Sequence, residues 1–585
     1  MKALRKAVSF LDDRTGWRQL VSRALDEEIE GGARWAYVFG SALGVLFLVQ
    51  CVTGVLLMLT YTPSVGDAWS SVFYIQHRVT GGWFVRGLHS YGAQAMLIVS
   101  GLHMVQVLVY GAYKKPREVT WWLGLALLGL VLGLLITGYR LPWDQRTYWA
   151  LVVELNVAGA TPLVGGSMYE MAAGGPAIGQ ETLTRLYALH VAVLPALVVL
   201  LWLGHRALVR KHGRTPPDGA DTAVRTPIYP AQVARDMLFV LLVLGAVAAV
   251  TTATQGVGLD SPAEPDRDYP ARPEWFLLAM YQLRKMMPGP WEVVATVVIP
   301  GAVTTLLFAL PFLDRKPSRR VRHRVAWIAP VLLVLAGAGA ISWMSIEDDR
   351  VDEDYIEAIA EYERRADRAV QLAYMGIPPG GPVEMLRNDP MTHGRDLYRQ
   401  LCTSCHVLEG EGERKAPDHS GYGSREWLTM LVLAPQDEHF FGEAELDEDM
   451  PSQQELGEPM IRGIVEFLFA MGREPQDPGE VDEELAEQGE EDFRRKCMSC
   501  HTYGDDGDWL GIGGPHMSGY GSRTWIARQI ADPGGPRNYG ELNDMPAFAD
   551  QLTEHDLRMV TAYLRRQRFA EPDFTAEPPP PEEDD

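Results

Sequence analysis

The stretch that most limits what this chain can become runs from Gly87 to Tyr110, GLHSYGAQAMLIVSGLHMVQVLVY. It is apolar almost throughout and long enough to cross a bilayer, which takes about 20 helical residues. Yet it carries His89 and His103, fourteen positions apart. At about 1.5 Å of rise per residue the two imidazoles share nearly one face, roughly 21 Å apart along the axis. A second apolar run, Leu183 to Val209, repeats the device with His190 and His205, fifteen apart. A single histidine in such a helix can be a satisfied polar residue of a bundle core. Two matched pairs at matched depths point to two bis-histidine haems stacked across the membrane, because neutral imidazole is a haem-iron ligand. Glycines keep the same beat: Gly40 and Gly54 precede the first pair, Gly124 and Gly138 lie between the pairs, and each couple is fourteen apart. Glycine also serves close helix packing, but a missing side chain lets a flat macrocycle approach the backbone, and the shared period favours that use.

Further motifs make a resemblance visible. With KKPRE (114–118), GYRLPWDQ (138–145) and LTRLYALH (183–190), the chain from Trp17 to about Ser345 resembles the cytochrome b of quinol-oxidising bc and b/f complexes. The likeness is nearest to the chloroplast-type arrangement, in which a four-helix cytochrome b and a three-helix subunit IV are separate chains. The resemblance implies one haem b on His89 and His190 and a second on His103 and His205. Gly40, Gly54, Gly124, Gly138 and Arg86 count among the cofactor-binding residues. It also implies a quinol oxidation site near the outer surface, enclosed by the loop after GYRLPWDQ and by PEWF (273–276). There Glu274 stands where the family's glutamate takes a quinol proton, and Phe276 replaces the usual tyrosine. Chloroplast-type relatives attach an extra haem through a cysteine early in the first span; the aligned position here is Val38, so no covalent haem is expected in the membrane half.

Composition changes sharply along the chain. Residues 347–585 hold 54 Asp+Glu against 22 Lys+Arg, whereas the preceding 346 residues carry a net balance of +9. A basic apolar half followed by an acidic polar half reads as a membrane domain with a water-exposed extension. Apolar spans are expected at about 36–60, 87–110, 120–140, 183–209, 236–255, 292–313 and 325–345. Residues 1–34 are charged and lack a signal-peptide core, and read as a surface helix. Lysine and arginine concentrate in alternate loops, which sets the N-terminus on the cytoplasmic side of a bacterial inner membrane and the C-terminal half outside.

The acidic half contains an internal repeat. Cys402-Thr-Ser-Cys405-His406 matches Cys497-Met-Ser-Cys500-His501, and SGYGSR occurs at 420–425 and at 518–523. CxxCH is the attachment signature of haem c, two thiols holding the macrocycle while the adjacent histidine ligates iron. Zinc or a dithiol redox pair are the competing readings, and four cysteines from two separate repeats are poorly placed to share one zinc. For the sixth ligands the repeats offer Met430, Met450, Met460 and His419, and His516, Met517, Met545 and Met559. Only Met450 and Met545 share register, each 44 residues after its histidine and each followed by proline. His/Met ligation by Met450 and Met545 is therefore expected.

The fold class expected is all-α: a seven-span bundle holding two b haems, followed by two small α-helical cytochrome c domains. Boundaries fall at 1–212 (surface helix and four-span core), 213–346 (three-span domain with PEWF), 347–390 (stalk), 391–475 and 476–570 (cytochrome c domains), and 571–585 (disordered acidic, proline-rich tail). The function expected is that of a fused cytochrome b and dihaem cytochrome c subunit of a proton-translocating quinol:cytochrome c oxidoreductase. Its quinol electrons would divide between a Rieske path to the c haems and the two b haems. No cysteine and histidine set for a Rieske cluster is present, so that protein is expected as a separate partner. The quinone pool, a soluble cytochrome c or terminal oxidase, membrane lipid and a second copy in a homodimer complete the partners; nucleic acid is not among them. A haem anchor serving another quinone-linked dehydrogenase, or a non-catalytic haem sensor, would leave PEWF and GYRLPWDQ without a purpose.

Overall fold

A computed structural model describes residues 2–441, 450–504, 514–540 and 543–570; the expected tail, 571–585, lies outside them. The chain divides into two compact units, Met1–Val383 and Glu384–Asp585. In the first, seven helices are long and apolar enough to cross a membrane: Trp35–Met58, Gly82–Tyr110, Glu118–Gly138, Gln180–His212, Ala231–Ala253, Gly289–Leu313 and Val325–Val351. They coincide with the seven expected spans. Two of them contain a wide π turn, Leu189–Val193 and Val294–Val298. In each case a proline follows two residues later, Pro195 and Pro300. A proline ring crowds the carbonyl four residues back and donates no hydrogen bond, and a π turn accommodates that without breaking the helix. His190 sits inside the first of these turns.

One end of the bundle is held by a buried ionic knot. Asp314, just past the sixth span, accepts from Lys114 Nζ (2.7 Å), Tyr113 Oη (2.6 Å) and Arg324 Nε (2.9 Å). Arg324, fully buried, also donates to the carbonyls of Leu108 (2.6 Å) and Val109 (3.0 Å). Those carbonyls close the second span, where Leu108 also accepts from the N–H of the capping Gly111 (3.2 Å). Burial pushes the Asp314 carboxyl up, but the three donors outweigh it and hold it below the usual carboxylate range. Second, sixth and seventh spans are thereby tied at one level. Nearby, Glu28–Glu30 pairs antiparallel with Arg225–Pro227, so the turn-rich connection between four-span and three-span parts is anchored to the N-terminal segment.

Most of the segment expected as a stalk, 347–390, is packed on the membrane unit. Helix Glu353–Met375 lies on the loops that precede PEWF. Arg365 binds Glu264 (2.6 Å), the Tyr362 and Tyr269 rings meet at 4.6 Å, and Arg78 donates to the Tyr374 carbonyl (3.0 Å). Although the helix is rich in charge, Tyr362, Arg365, Ala369, Leu372 and Ala373 are buried.

The second unit does not consist of two separate domains, 391–475 and 476–570. Each repeat has an entry helix leading to CxxCH, a middle helix and a terminal helix. The middle helices, Arg425–Leu433 and Arg523–Ala531, are capped by Ser424 and Ser522, whose hydroxyls accept from Trp427 N (3.1 Å) and Trp525 N (3.2 Å). Each such cap contributes about 1 kcal/mol, which accounts for the serine of SGYGSR. The terminal helices are exchanged. The first repeat's Glu458–Met471 crosses the second repeat's entry helix Glu483–Lys496, where a Cβ on Gly463 would stand 3.3 Å from the Gly489 Cα and Phe467 meets Phe493 at 5.5 Å. Reciprocally, the second repeat's Glu554–Arg566 crosses the entry segment of the first, with Gly394 against the Met559 carbonyl and Tyr398 against Tyr563 at 5.9 Å. Buried side chains from both repeats form one core. Truncating the chain before Thr553 should therefore impair haem attachment at Cys402 and Cys405 as well as at the adjacent second motif; mass spectrometry of the two haem peptides checks this.

Candidate haem and quinol sites

The expected glycine rhythm becomes contact. A Cβ added at Gly54 would lie 3.2 Å from His89 Cε1, and one at Gly138 would lie 2.5 Å from His190 Cε1. Gly40 stands in the same way against His103 (3.8 Å), and Gly124 against His205 (3.5 Å). Two sets result: His89, His190, Gly54 and Gly138 toward one face, and His103, His205, Gly40 and Gly124 toward the other. The His89 and His190 ring centres are 6.1 Å apart. Imidazole nitrogens bind metals at about 2 Å, so two rings on opposite sides of one ion stand about 6 Å apart.

Tautomers follow from the neighbours. Thr53 donates its hydroxyl proton to the Val49 carbonyl (2.7 Å) and presents its oxygen to His89 Nδ1 (2.9 Å). Thr137 does the same between the Gly133 carbonyl (2.8 Å) and His190 Nδ1 (3.1 Å). A hydroxyl with its one proton committed can only accept, so Nδ1 carries the hydrogen and Nε2 keeps the lone pair that iron requires. His205 Nδ1 faces the Thr120 carbonyl at 3.0 Å with the same result. His103 Nδ1 is buried without a hydrogen-bond partner. The residues present thus fit two bis-histidine haems. Thr53 and Thr137, unmarked in the sequence reading, orient two of the ligands.

The loop after GYRLPWDQ and the loop before PEWF are laced together. Gln145 is fully buried; its backbone N–H donates to the Ser261 carbonyl (2.8 Å), its amide accepts from Glu264 N (2.7 Å) and donates to the Arg267 carbonyl (2.9 Å). Asp144 caps the helix Gln145–Gly159 through Thr147 N (3.0 Å). This lacing brings PEWF beside GYRLPWDQ. Phe276 packs edge-on against Tyr139 at 6.4 Å, and Tyr139 donates to Glu154 (2.5 Å). Burial pushes the Glu274 carboxyl above its usual range, opposed by Arg146 and reinforced by Asp144. Asp260, which no motif announced, lies in the same group. Burial and the Asp144 carboxylate push it up to about 6, against the Tyr269 hydroxyl that donates to it at 2.8 Å. Arg86 donates to Gln76 (3.0 Å) and to the carbonyls of Val257 (2.6 Å) and Gly258 (3.0 Å), holding the segment that leads into this loop.

In the second unit His406 Nδ1 meets the Pro417 carbonyl at 2.8 Å, and His501 Nδ1 the Pro515 carbonyl at 3.1 Å. Both imidazoles again keep Nε2 free. Burial pushes the Cys402 and Cys497 thiols up to about 12 and about 11, the reverse of a reactive dithiol. His419 stacks on the His406 ring at 4.1 Å, nearly parallel, and its Nδ1 meets the Tyr398 hydroxyl at 3.0 Å. If His406 ligates a haem iron, a ring stacked on it as His419 is would be poorly placed to ligate from the opposite side. Met517 holds the equivalent backbone position: its N–H bonds the Thr502 carbonyl as that of His419 bonds Val407. His516 is turned to the Gly504 carbonyl (3.3 Å). Met545 packs on the shared core and is clamped by Asn543. Met450 is half-buried, its carbonyl accepting from Gln436 (3.4 Å); residues 442–449 before it lie outside the described ones. Replacing Gly138 with Ala should cost one haem b equivalent, whereas Gly101→Ala on the second span, with nothing within 4 Å, should cost none; the haem b to haem c ratio by pyridine haemochrome reads the difference.

Comparison with known proteins agrees along the chain. The family Cytochrome b/b6/petB matches residues 26–213, Cytochrome b(C-terminal)/b6/petD matches 269–359, and Cytochrome C oxidase, cbb3-type, subunit III matches 484–564. The menaquinol:cytochrome c reductase cytochrome b subunit of Bacillus subtilis (strain 168) is 37% identical over 222 residues, covering 37% of this chain and 99% of the relative. Cytochrome b6 of Gracilaria tenuistipitata var. liui is 42% identical over 181 residues, covering 31% of this chain and 84% of its own. A solved chain of a hyperthermophilic respiratory Complex III is 26% identical with a TM-score of 0.51, over 58% of this chain and 91% of that one. Matched by sequence over both membrane parts and by structure over more than half its length, the chain belongs to the cytochrome b/b6 family and carries a cytochrome c module at its C-terminal end.

Proposed function

We propose that this chain is the cytochrome b and dihaem cytochrome c subunit of a quinol:cytochrome c reductase, and that quinol is oxidised between the laced outer loops. The observation that carries the proposal is a pair of consecutive residues at the end of the third span. Gly138 touches His190, and Tyr139, the next residue, packs on Phe276 of PEWF. A quinol held at PEWF is therefore one residue away from the His89/His190 set.

In this reading Glu274 takes a proton from the quinol hydroxyl. Its raised affinity for protons, caused chiefly by burial, suits a base that must accept and then release near neutral pH. Arg146 and Asp144 are its charged neighbours, and Asp260 adjoins both of them. Tyr139 supplies a phenol next to the position where Phe276 lacks one. Haem b on His89/His190 and His103/His205, and haem c at the two CxxCH motifs with Met450 and Met545 opposite, supply one-electron relays. Thr53, Thr137 and the carbonyls of Thr120, Pro417 and Pro515 hold five of the six imidazoles with Nε2 free. Arg86, beyond the backbone it now holds, lies one turn before His89 and is assigned to the same haem site. The other electron of each quinol requires a separate Rieske protein. The seven spans sit in a bacterial inner membrane with the second unit on the outer side, and the complex pairs as a homodimer.

Two measurements test the reading. The pyridine haemochrome of the purified chain should give equal haem b and haem c, two of each, and clearly unequal amounts overturn it. Glu274→Gln should slow quinol-driven cytochrome c reduction by about 100-fold or more, the scale of general base catalysis, with haem content unchanged. Because the Glu274 carboxyl titrates above the ordinary range, wild-type turnover should fall as pH drops through that raised value, and E274Q should lose this acid limb.

A further inference from the structure

The end of the last helix places one arginine where the two c repeats meet. Arg568, in the turn Gln567–Phe569, is 3% exposed. It donates through Nη2 to the Phe469 carbonyl and lies over the Phe469 ring at 4.7 Å. Its Nε and Nη1 are buried with no hydrogen-bond partner. The side chain passes through space left by three glycines: a Cβ at Gly423 would stand 3.1 Å from its Cγ, and side chains at Gly472 or Gly521 would collide with its guanidinium. Gly423 and Gly521 are the same position of the two SGYGSR motifs, both at positive φ (74° and 71°), so the guanidinium lies between equivalent turns of both repeats. The preceding residues of these turns, Tyr422 and Tyr520, have ring centres 6.3 Å apart.

Among the described residues no carboxylate hydrogen-bonds this cation, although Asp477 acts on it through its charge. Asp477, the nearest acid, is held by Arg565 on both oxygens (2.8 Å on Oδ1) and by Glu474 N (2.7 Å). Glu474 itself pairs with Arg523 (3.3 Å) and Arg565 (3.5 Å). The other titratable groups around the site, Tyr422, Tyr520 and Tyr539, are phenols that burial keeps protonated. A buried charge with unpaired donors is strongly unfavourable unless an anion completes it. Each covalent haem brings two propionate carboxylates into such a fold. A short ring path connects one iron ligand to this place: His406 stacks on His419 at 4.1 Å, and His419 meets Tyr422 at 5.3 Å.

We propose that Arg568 is a carboxylate-binding residue for the haem c propionates, seated at the junction of the repeats so that its charge bears on the potential of both c haems. The proposal rests on the reading that both CxxCH motifs carry haem. Carboxylate and guanidinium match in charge and in donor geometry, and a fixed cation beside the haem disfavours the more positive ferric state.

The test uses the full chain with Arg568→Gln and Arg568→Lys. Mass spectrometry of the peptides containing Cys402/Cys405 and Cys497/Cys500 first establishes that both haems are attached; a wild-type chain lacking either refutes the two-haem reading, independently of Arg568. Spectroelectrochemical titration of the c haems then decides. R568Q should lower the ferrous-to-ferric ratio at fixed potential by about tenfold in at least one c haem, equivalent to 59 mV for a one-electron couple. It should also add a pH dependence between about pH 5 and 8, as a carboxylate without its cation begins to titrate. R568K, which keeps the charge without the fork, should shift less in the same direction. Unchanged potentials and pH profile with both haems attached would overturn the proposal and leave Arg568 a packing residue. If R568Q does not assemble, R568K decides by the same two readings.

Discussion

An imidazole in the middle of an apolar helix has two ring nitrogens and no water to satisfy them. Everything in the membrane unit is arranged around that requirement. Thr53 and Thr137 turn their hydroxyls so that one nitrogen of each partner is satisfied from within the protein. Gly54 and Gly138 lie against the same two rings, where a larger side chain would press on them. The fourth span widens into a π turn where His190 must face Gly138. Hydrogen bonding therefore joins van der Waals packing in setting helix register here, since lipid offers no hydrophobic drive between spans.

The membrane unit is then clamped by polar groups near its ends. The Asp314 knot joins three spans and closes the second with an arginine on its last carbonyls. Buried ion pairs are weak evidence of net stability, but removing one partner leaves a charge unanswered, so such a knot enforces geometry. The lacing of Gln145 to the loop before PEWF performs the corresponding task for the residues that would meet quinol. The helix Glu353–Met375 then covers that loop. The proposed quinol site is thus framed by segments from the four-span and three-span parts and from what looked like a linker.

What could be read from the sequence was whatever a fixed period projects onto one face. His89 and His103, the glycine couples and the seven spans follow from 3.6 residues per turn and a bilayer's thickness. CxxCH needs only local spacing. The threonines escaped because their value depends on which neighbouring helix they face, and Asp260 because a turn-rich loop has no period. The docked helix was misread because its buried residues include Arg365, whose partner Glu264 lies 101 positions away. The helix exchange was invisible for a different reason: a repeat shows where each unit begins and ends, but two similar terminal helices are equally compatible with either entry helix. The choice between them is made by tertiary contacts such as Gly463 on Gly489.

That exchange imposes an order on biosynthesis. The entry segment ending in Cys402 packs against Glu554–Arg566, which is made last among the α-helices of the described residues. Roughly 150 residues separate the two, about 10–30 s of synthesis at ordinary rates. During that interval the first CxxCH is displayed on a helix without its final packing partner. The second entry helix, by contrast, meets the already finished Glu458–Met471 as soon as it emerges. The second entry helix is therefore packed first, and the first entry segment waits longest for its partner.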